Sequence, residues 1–454
     1  MFENSRLSVA GRAVAVARAA TAERYRLGRS FGVMRFAAAV LDPFFYAAIV
    51  HMIMATVFGY TGANRFHLIL LGFITFRWTL VAALHAHDLG FLRRRLNEHA
   101  DRGLLFGLVA VMAPATAAFL VSSILAFALS IATVAPGRSL AAIAALPVVI
   151  AIQGAWTIVL VLALDSLERL RVAIKDTTII GVAVAIWFFT PVMYQFGDVP
   201  VVGGLSLISY NPVAYIIAAY HNAYWFGRLP TLTTLVAAAA LAASAMWAYQ
   251  KLGIGRAALD RNLPYRAPSV NLPHLIVRMA DAPAMSIVAA TGQTAVPIVA
   301  RWPGRLIDIT GSGLVRIVLA SRGAQPSNDG EGHITATAGL GALYHNNLAI
   351  YPDAARDQLA FALAAECHAG SVALDGLLDN VQPSFLHGAW RILERRAAQG
   401  AETLVIAYRA LALPADARGT FRAIGTTGTL AEGALGLQLE AMLARAANGN
   451  GPAS

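Results

Sequence analysis

Long apolar runs alternate with short polar connections through the first half of the chain. The runs cover about 36–59, 66–86, 107–134, 140–164, 177–195 and 230–249. Each is near the ~20 residues that a helix needs to cross a bilayer core, so the pattern predicts six membrane-spanning helices. The fifth run stops at Thr190-Pro191, and a Gly/Pro-rich corner from Gly197 to Gly204 follows. Tyr210-Asn211-Pro212 then opens an aromatic stretch carrying Tyr215, Tyr220, Tyr224, Trp225 and Phe226. Asn211 suits the cap and Pro212 the first turn of a helix. That helix is too short to cross and return, which predicts a partly buried segment at the outer face. From about residue 262 the pattern changes. Pro264, Pro268 and Pro273 mark a linker. Short Val/Ile/Leu runs then alternate with Gly-rich turns and Ala-rich helical stretches, as in a soluble α/β domain. The expected division is an interface segment (1–35), a membrane domain (36–255), a linker (256–285), an α/β domain (286–440) and a disordered tail (441–454).

Charge orients this pattern. Arg93, Arg94, Arg95 and Arg102 lie after the second run, Arg169, Arg171 and Lys175 after the fourth, and Lys251, Arg256, Arg261 and Arg266 after the sixth. The intervening connections hold one arginine each: Arg65, Arg138 and Arg228. The positive-inside rule then places both ends of the membrane domain in the cytoplasm. The amino-terminal stretch carries Arg6, Arg12, Arg18, Arg24, Arg26, Arg29 and Arg35 among Ala and Val. It reads either as a basic helix on the cytoplasmic face or as a disordered tail. Its first thirty residues lack an apolar core followed by a cleavage site, so no signal peptide is expected.

Composition adds two constraints. Of the 454 residues, 57% are hydrophobic and 13% charged, against about 25% charged in an average soluble chain. The net charge of +10 comes from basic residues beside apolar runs. That favours anionic lipid head groups over nucleic acid as the partner. The single cysteine, Cys367, leaves no intramolecular disulfide or multi-cysteine zinc site, and it reads as a packing residue. His85, His87, Asp88 and His99 match no metal spacing and are expected to be polar interface residues.

Several stretches carry a resemblance. The stretches Arg24-Tyr25-Arg26-Leu27-Gly28-Arg29-Ser30-Phe31-Gly32, Leu41-Asp42-Pro43, Leu71-Gly72-Phe73-Ile74-Thr75-Phe76, Pro191-Val192-Met193-Tyr194 and Asn211-Pro212 occur in this order. Over roughly 20–255 the chain resembles the permease subunits of bacterial ABC exporters of capsular polysaccharide and O-antigen. Thr75 stands where that family often has proline. The resemblance implies a homodimer or paired permease, a separate intact ATPase that binds ATP and Mg, and a polysaccharide or glycolipid substrate. It also implies a multi-pass protein of the bacterial inner membrane. Arg93, Arg94, Arg95 and Arg102 become candidates for docking the ATPase. Candidates along a substrate path are Arg77, Asp42, Tyr194, Asn211, Tyr215, Tyr220 and Trp225. Arg77 lies near the middle of the second run, where a charge is costly and usually faces a bundle interior or aqueous path. It reads either as a contact for an anionic sugar or lipid pyrophosphate, or as a structural partner of Asp42. Asp42 and Asp165 lie near span ends, where they can reach water or meet substrate. The tyrosines and Trp225 read as sugar-stacking residues or as an interfacial belt.

The carboxy-terminal half resembles a shortened ABC ATPase. Arg305-Leu306-Ile307-Asp308-Ile309-Thr310-Gly311-Ser312-Gly313 resembles a strand entering a phosphate loop, with no Gly-Lys-Ser/Thr after it. Between Ile334 and Tyr351 there is too little chain for the usual helical subdomain. The helix from Asp353 to Leu363 resembles the signature helix, with Asp353 where a Ser-Gly turn would stand. Ser371-Val372-Ala373-Leu374-Asp375-Gly376 resembles the Walker B strand, with Gly376 in place of the glutamate base. In Glu402-Thr403-Leu404-Val405-Ile406-Ala407-Tyr408, Tyr408 replaces the switch histidine. A phosphate site needs backbone N–H groups, a lysine and a metal-binding hydroxyl, so the domain is expected to be catalytically inactive and to bind no cofactor or metal. The function expected is therefore permease of an ABC exporter fused to an inactive ATPase-like domain. The alternatives are a multispan membrane enzyme of glycan synthesis and a non-transporting regulatory subunit.

Overall fold

The computed structural model describes residues 7–26, 31–59, 63–99, 102–133, 140–169, 181, 212–225, 236, 240, 243, 263–264, 274–278, 295–296, 298–300, 302, 308–323, 328–367, 372–399, 401, 403–407, 411, 413, 417, 420–424 and 430–434. Two compact units divide the chain. A helical unit comprises Ala20–Arg93 and Gly107–Ala258, and an α/β unit comprises Met1–Ala19, Arg94–Phe106 and Leu259–Ser454.

The helices of the first half are α1 (Val9–Tyr25), α2 (Gly32–Phe58), α3 (Ala63–Leu84), α4 (Ala86–His99), α5 (Gly103–Thr133), α6 (Leu140–Arg169) and α7 (Pro212–Tyr220). Among the described residues, four stretches are long and apolar enough to cross a membrane: Gly32–Val57, Arg65–Leu84, Gly103–Ser130 and Leu146–Asp165. They coincide with the first four expected runs; 177–195 and 230–249 fall almost wholly outside the described residues. Arg12, Arg18 and Arg24 lie on α1, a helix rather than a structureless tail.

Polar side chains join these helices at mid-length. Gln153 Nε2 donates to Thr75 O at 2.7 Å and to Thr79 Oγ1 at 3.2 Å, and Thr79 and Thr157 share a hydrogen bond of 3.1 Å. Lipid offers no hydrophobic drive for helix association, so such bonds and close packing hold α3 to α6. Pro43, Pro114 and Pro147 stand inside α2, α5 and α6. Proline disturbs the local carbonyl ladder. Ser122 donates to Val40 O at 2.8 Å, and Tyr25 Oη donates to Pro114 O at 3.1 Å, so neighbouring side chains reach backbone near two of these sites. α7 packs on α6 and α3 and continues as a π turn, His221–Trp225. Its buried residues include Ile216, Ile217, Tyr220 and His221, so the segment is an internal one.

The α/β unit is built on a six-stranded sheet of order β4-β5-β6-β2-β7-β8. The strands are β1 (Leu263–Pro264), β2 (His274–Arg278), β3 (Ala295–Val296), β4 (Ile298–Ala300), β5 (Val372–Asp375), β6 (Thr403–Ala407), β7 (Thr420–Ile424) and β8 (Leu430–Ala434). Every neighbour pair from β4 to β7 is parallel, and β8 closes the edge antiparallel. β1 and β3 form a separate two-stranded ribbon. The helices are α8 (Gly311–Arg322), α9 (Asn328–Ala338), α10 (Asp353–Cys367) and α11 (Pro383–Ala398). Leu359, Phe361, Val372, Leu374, Trp390, Val405 and Ile406 are buried and supply the core.

One expectation is corrected here. β2 lies within the stretch read as linker, yet it is an interior strand with parallel neighbours on both sides. Flanking prolines hid a five-residue strand whose pairing partners lie more than a hundred residues away. α8 and α9 stand between β4 and α10, and from Ile334 to Tyr351 the chain holds the end of α9 and two short 3-10 turns.

Candidate functional site

The helical unit encloses a cavity of about 250 Å³. Arg24, Tyr25, Arg77, Trp78, His85 and Phe119 are among the residues that line it. α3 supplies Arg77 and Trp78 one after the other, so the cation and the indole leave the helix in adjacent directions. Arg77 is ion-paired with Asp42 of α2. Of the two readings of Arg77, the pairing one describes this state, and the cavity keeps the guanidinium beside open space. Trp78 stacks on Phe119 with ring centroids 4.4 Å apart, and its Nε1 donates to Thr116 at 3.0 Å.

Arg24 reaches this cavity from α1, 61 positions before His85. Its Nη2 lies 3.2 Å from His85 Nδ1 and also contacts Nε2. Arginine has no acceptor, so it donates to the ring. Burial raises the pKa of the Tyr25 hydroxyl, while Arg24 and Arg77 pull it down. Behind His85, Asp88 lies 3.4 Å from His85 Nδ1 and 2.9 Å from His87 Nε2. Burial pushes the Asp88 carboxyl up, but the hydrogen bonds with both histidines outweigh it and hold it well below the usual carboxylate range.

The remaining sequence candidates separate. Tyr220 is buried and meets Phe119 edge-on at 6.5 Å, so it is neither an interfacial belt residue nor an open sugar platform. Tyr215 is half-buried on α7, and Trp225 ends the π turn. Tyr194, Asn211 and Tyr408 lie outside the described residues. Asp165 does not reach water: it is buried with Arg93 at 3.9 Å. Arg93, offered as a docking residue, is therefore an internal charge of the helical unit. Arg95 is buried in the α/β unit with its guanidinium 5.5 Å from the Trp302 ring. Arg102 of the docking set is exposed, and Arg94 lies on α4. Also in the α/β unit, Arg12 lies 5.4 Å over the Phe106 ring and donates to Ser321 O at 3.4 Å.

The phosphate-loop expectation at Gly311 and Gly313 is corrected. Thr310 makes an isolated bridge to Asn347, and no strand of the sheet is described in this stretch. Thr310 instead caps α8, its Oγ1 accepting from Gly313 N at 3.0 Å. Gly311 N donates to Asn346 O at 3.2 Å. A Cβ at Gly311 would collide with Tyr351 Oη and stand 2.9 Å from Tyr344 O, so close approach explains the glycine. These amides are committed to protein groups and cannot cradle a phosphate. Parallel sheets bind ligands beyond the carboxyl ends of their strands. Asp375 pairs with Ile406, and Val277 with Ala407, so those strand ends gather at one edge of the sheet.

Asp375 ends β5. Gly376 follows at φ 67°, with its N–H donating to Ile406 O at 2.9 Å. A side chain is strained in this left-handed conformation, so backbone geometry accounts for the glycine. Asp353 sits in the first turn of α10, where a carboxylate complements the helix dipole, and Arg356 meets it at 3.1 Å. Cys367 is buried, which pushes its thiol up to about 12, the range of an inert packing residue.

No family model matches this chain. No curated protein matches it either. Its weak structural neighbours are ABC ATPase domains. One is the ADP conformation of an ATP-binding cassette of an ABC transporter: 12% identity, 38% of this chain and 85% of that one, TM-score 0.30. Another is a nucleotide-free ATP-binding cassette from an ABC transporter: 13% identity, 40% of this chain and 93% of that one, TM-score 0.29.

Proposed function

We propose that this chain is the permease subunit of an ABC-type exporter that moves a polysaccharide or lipid-linked glycan across the bacterial inner membrane. It works as a homodimer or paired permease, with both termini cytoplasmic and a separate intact ATPase supplying turnover. The observation that carries this reading is the joining of membrane-capable helices, with an arginine at membrane depth facing a cavity, to a parallel α/β sheet on one chain. The family resemblance of 20–255 supplies the substrate class. The α/β unit acts as a scaffold without hydrolysis. Supporting this are the left-handed Gly376 in the base position and the absence of any Gly-Lys-Ser/Thr from the sequence. Phosphoryl transfer depends on positioning and charge stabilisation, and neither survives the loss of lysine and base together.

Deleting the gene tests the reading: finished polymer accumulates inside the cell. Loss of polymer altogether identifies a synthetic enzyme instead, and a change in amount alone identifies a regulator. The purified chain shows no magnesium-dependent ATPase activity, and export stops when a separately encoded ATPase is removed. Robust turnover by the purified chain overturns the scaffold role.

A further inference from the structure

The cavity of the helical unit holds two guanidinium groups from helices far apart in sequence, Arg24 on α1 and Arg77 on α3. Both belong to one compact unit. Among the described residues Arg24 meets the ring of His85, a partner that carries no negative charge, and Arg77 faces Asp42. The charged residues that line the cavity are these two arginines; Asp42 meets Arg77 from outside the lining, and Asp88 stands behind His85. Planar guanidinium forks bind carboxylate and phosphate oxygens alike. Asp42 thus occupies the place that an incoming anion would take on Arg77. Beside Tyr25, His85 and Ser122, the wall is apolar: the Trp78–Phe119 stack, with Ile74 and Val81. At about 250 Å³ the cavity is smaller than the ~300–1,000 Å³ of a drug-sized ligand site. It admits a head group, not a polymer.

We propose that this cavity binds a phosphate monoester through Arg24 and Arg77, displacing Asp42 from Arg77. The apolar part next to the phosphate lies against Trp78 and Phe119. The inference deepens the exporter reading, on which it rests for its role: the site would hold the terminal phosphate of a membrane lipid that carries no glycan. Binding itself requires neither polymer nor ATPase.

The test is calorimetric titration of the full chain, purified in neutral detergent, with dioctanoyl phosphatidic acid, dioctanoylglycerol and inorganic phosphate. Phosphatidic acid binds, and dioctanoylglycerol does not compete. Arg24→Ala and Arg77→Ala each weaken phosphatidic acid binding by about tenfold or more, the worth of one hydrogen bond to a charged group. Asp42→Asn tightens it by about threefold, a modest gain because the competing carboxylate is partly exposed and screened. A variant that gains affinity is folded, which guards against reading misfolding as a lost site. Inorganic phosphate binding as tightly as phosphatidic acid supports the arginine pair with free phosphate as its source, and overturns the apolar wall. Equal affinity for dioctanoylglycerol and phosphatidic acid overturns the proposal, as does unchanged affinity in both arginine variants. Polymer retention after gene deletion is read independently, so failure of this site and failure of the exporter reading are distinguishable.

Discussion

The helical unit and the α/β unit spend their buried polar groups differently. In the helical unit they cross between helices: Gln153 to Thr75 and Thr79, and Ser122 to Val40. In the α/β unit many of them close the ends of elements. Thr310 caps α8, Ser321 Oγ donates to Val318 O at 2.7 Å in its last turn, and Arg396 donates to Ala365 O near the end of α10. The α/β core between those ends is apolar, filled by Phe361, Leu374 and Trp390. The hydrophobic effect assembles a sheet domain in water, and polar groups there only satisfy what secondary structure leaves open. Among apolar helices surrounded by lipid that drive is absent, so polar pairs become the joints.

Four substitutions separate the two strategies. Trp390→Ala empties the α/β core and costs about 3–5 kcal/mol, read as a lowered unfolding midpoint of that unit. Arg93→Ala breaks a buried ion pair of the helical unit and costs about 3 kcal/mol. The sharper version is the double variant Arg93→Met with Asp165→Leu. It recovers most of that loss in detergent thermal unfolding, because an apolar pair of similar volume replaces two desolvated charges. A double variant as unstable as the single one breaks the comparison. Gly376→Ala costs about 1–2 kcal/mol through its left-handed backbone, measured by denaturant unfolding. Gln153→Leu costs about 0.6 kcal/mol, the typical worth of an interhelical hydrogen bond in a membrane bundle. Its effect vanishes into error if α3 and α6 are held by packing alone.

The apolar runs announced four of the helices, since a span is a local property of about twenty residues. Leu359, Phe361, Val372, Leu374, Val405 and Ile406 were legible as core for a similar reason: each sits in a short run with helix or strand periodicity. Strand β2 was not, because its evidence lies in Leu404, Val405 and Phe421, which pair with it from the far end of the chain. Gly311 was misread because strand-turn-helix and loop-cap-helix look alike without the sheet. The glycine at 376 was noticed, but its cause, a positive φ, has no signature of its own in sequence. The cavity was half legible. A charge at membrane depth drew attention to Arg77, whereas Arg24 looked like one more arginine of a basic segment, and nothing local tied it to His85.

The Trp78–Phe119 stack has an optical consequence. Indole emission responds to the polarity and charge around the ring, and this indole stands beside a guanidinium on the wall of a cavity. The chain has seven tryptophans. Keeping Trp78 and replacing the others by phenylalanine turns the protein into its own fluorescent gauge. Its colour would shift when Arg77 exchanges one anion for another, with no label added and no transport required.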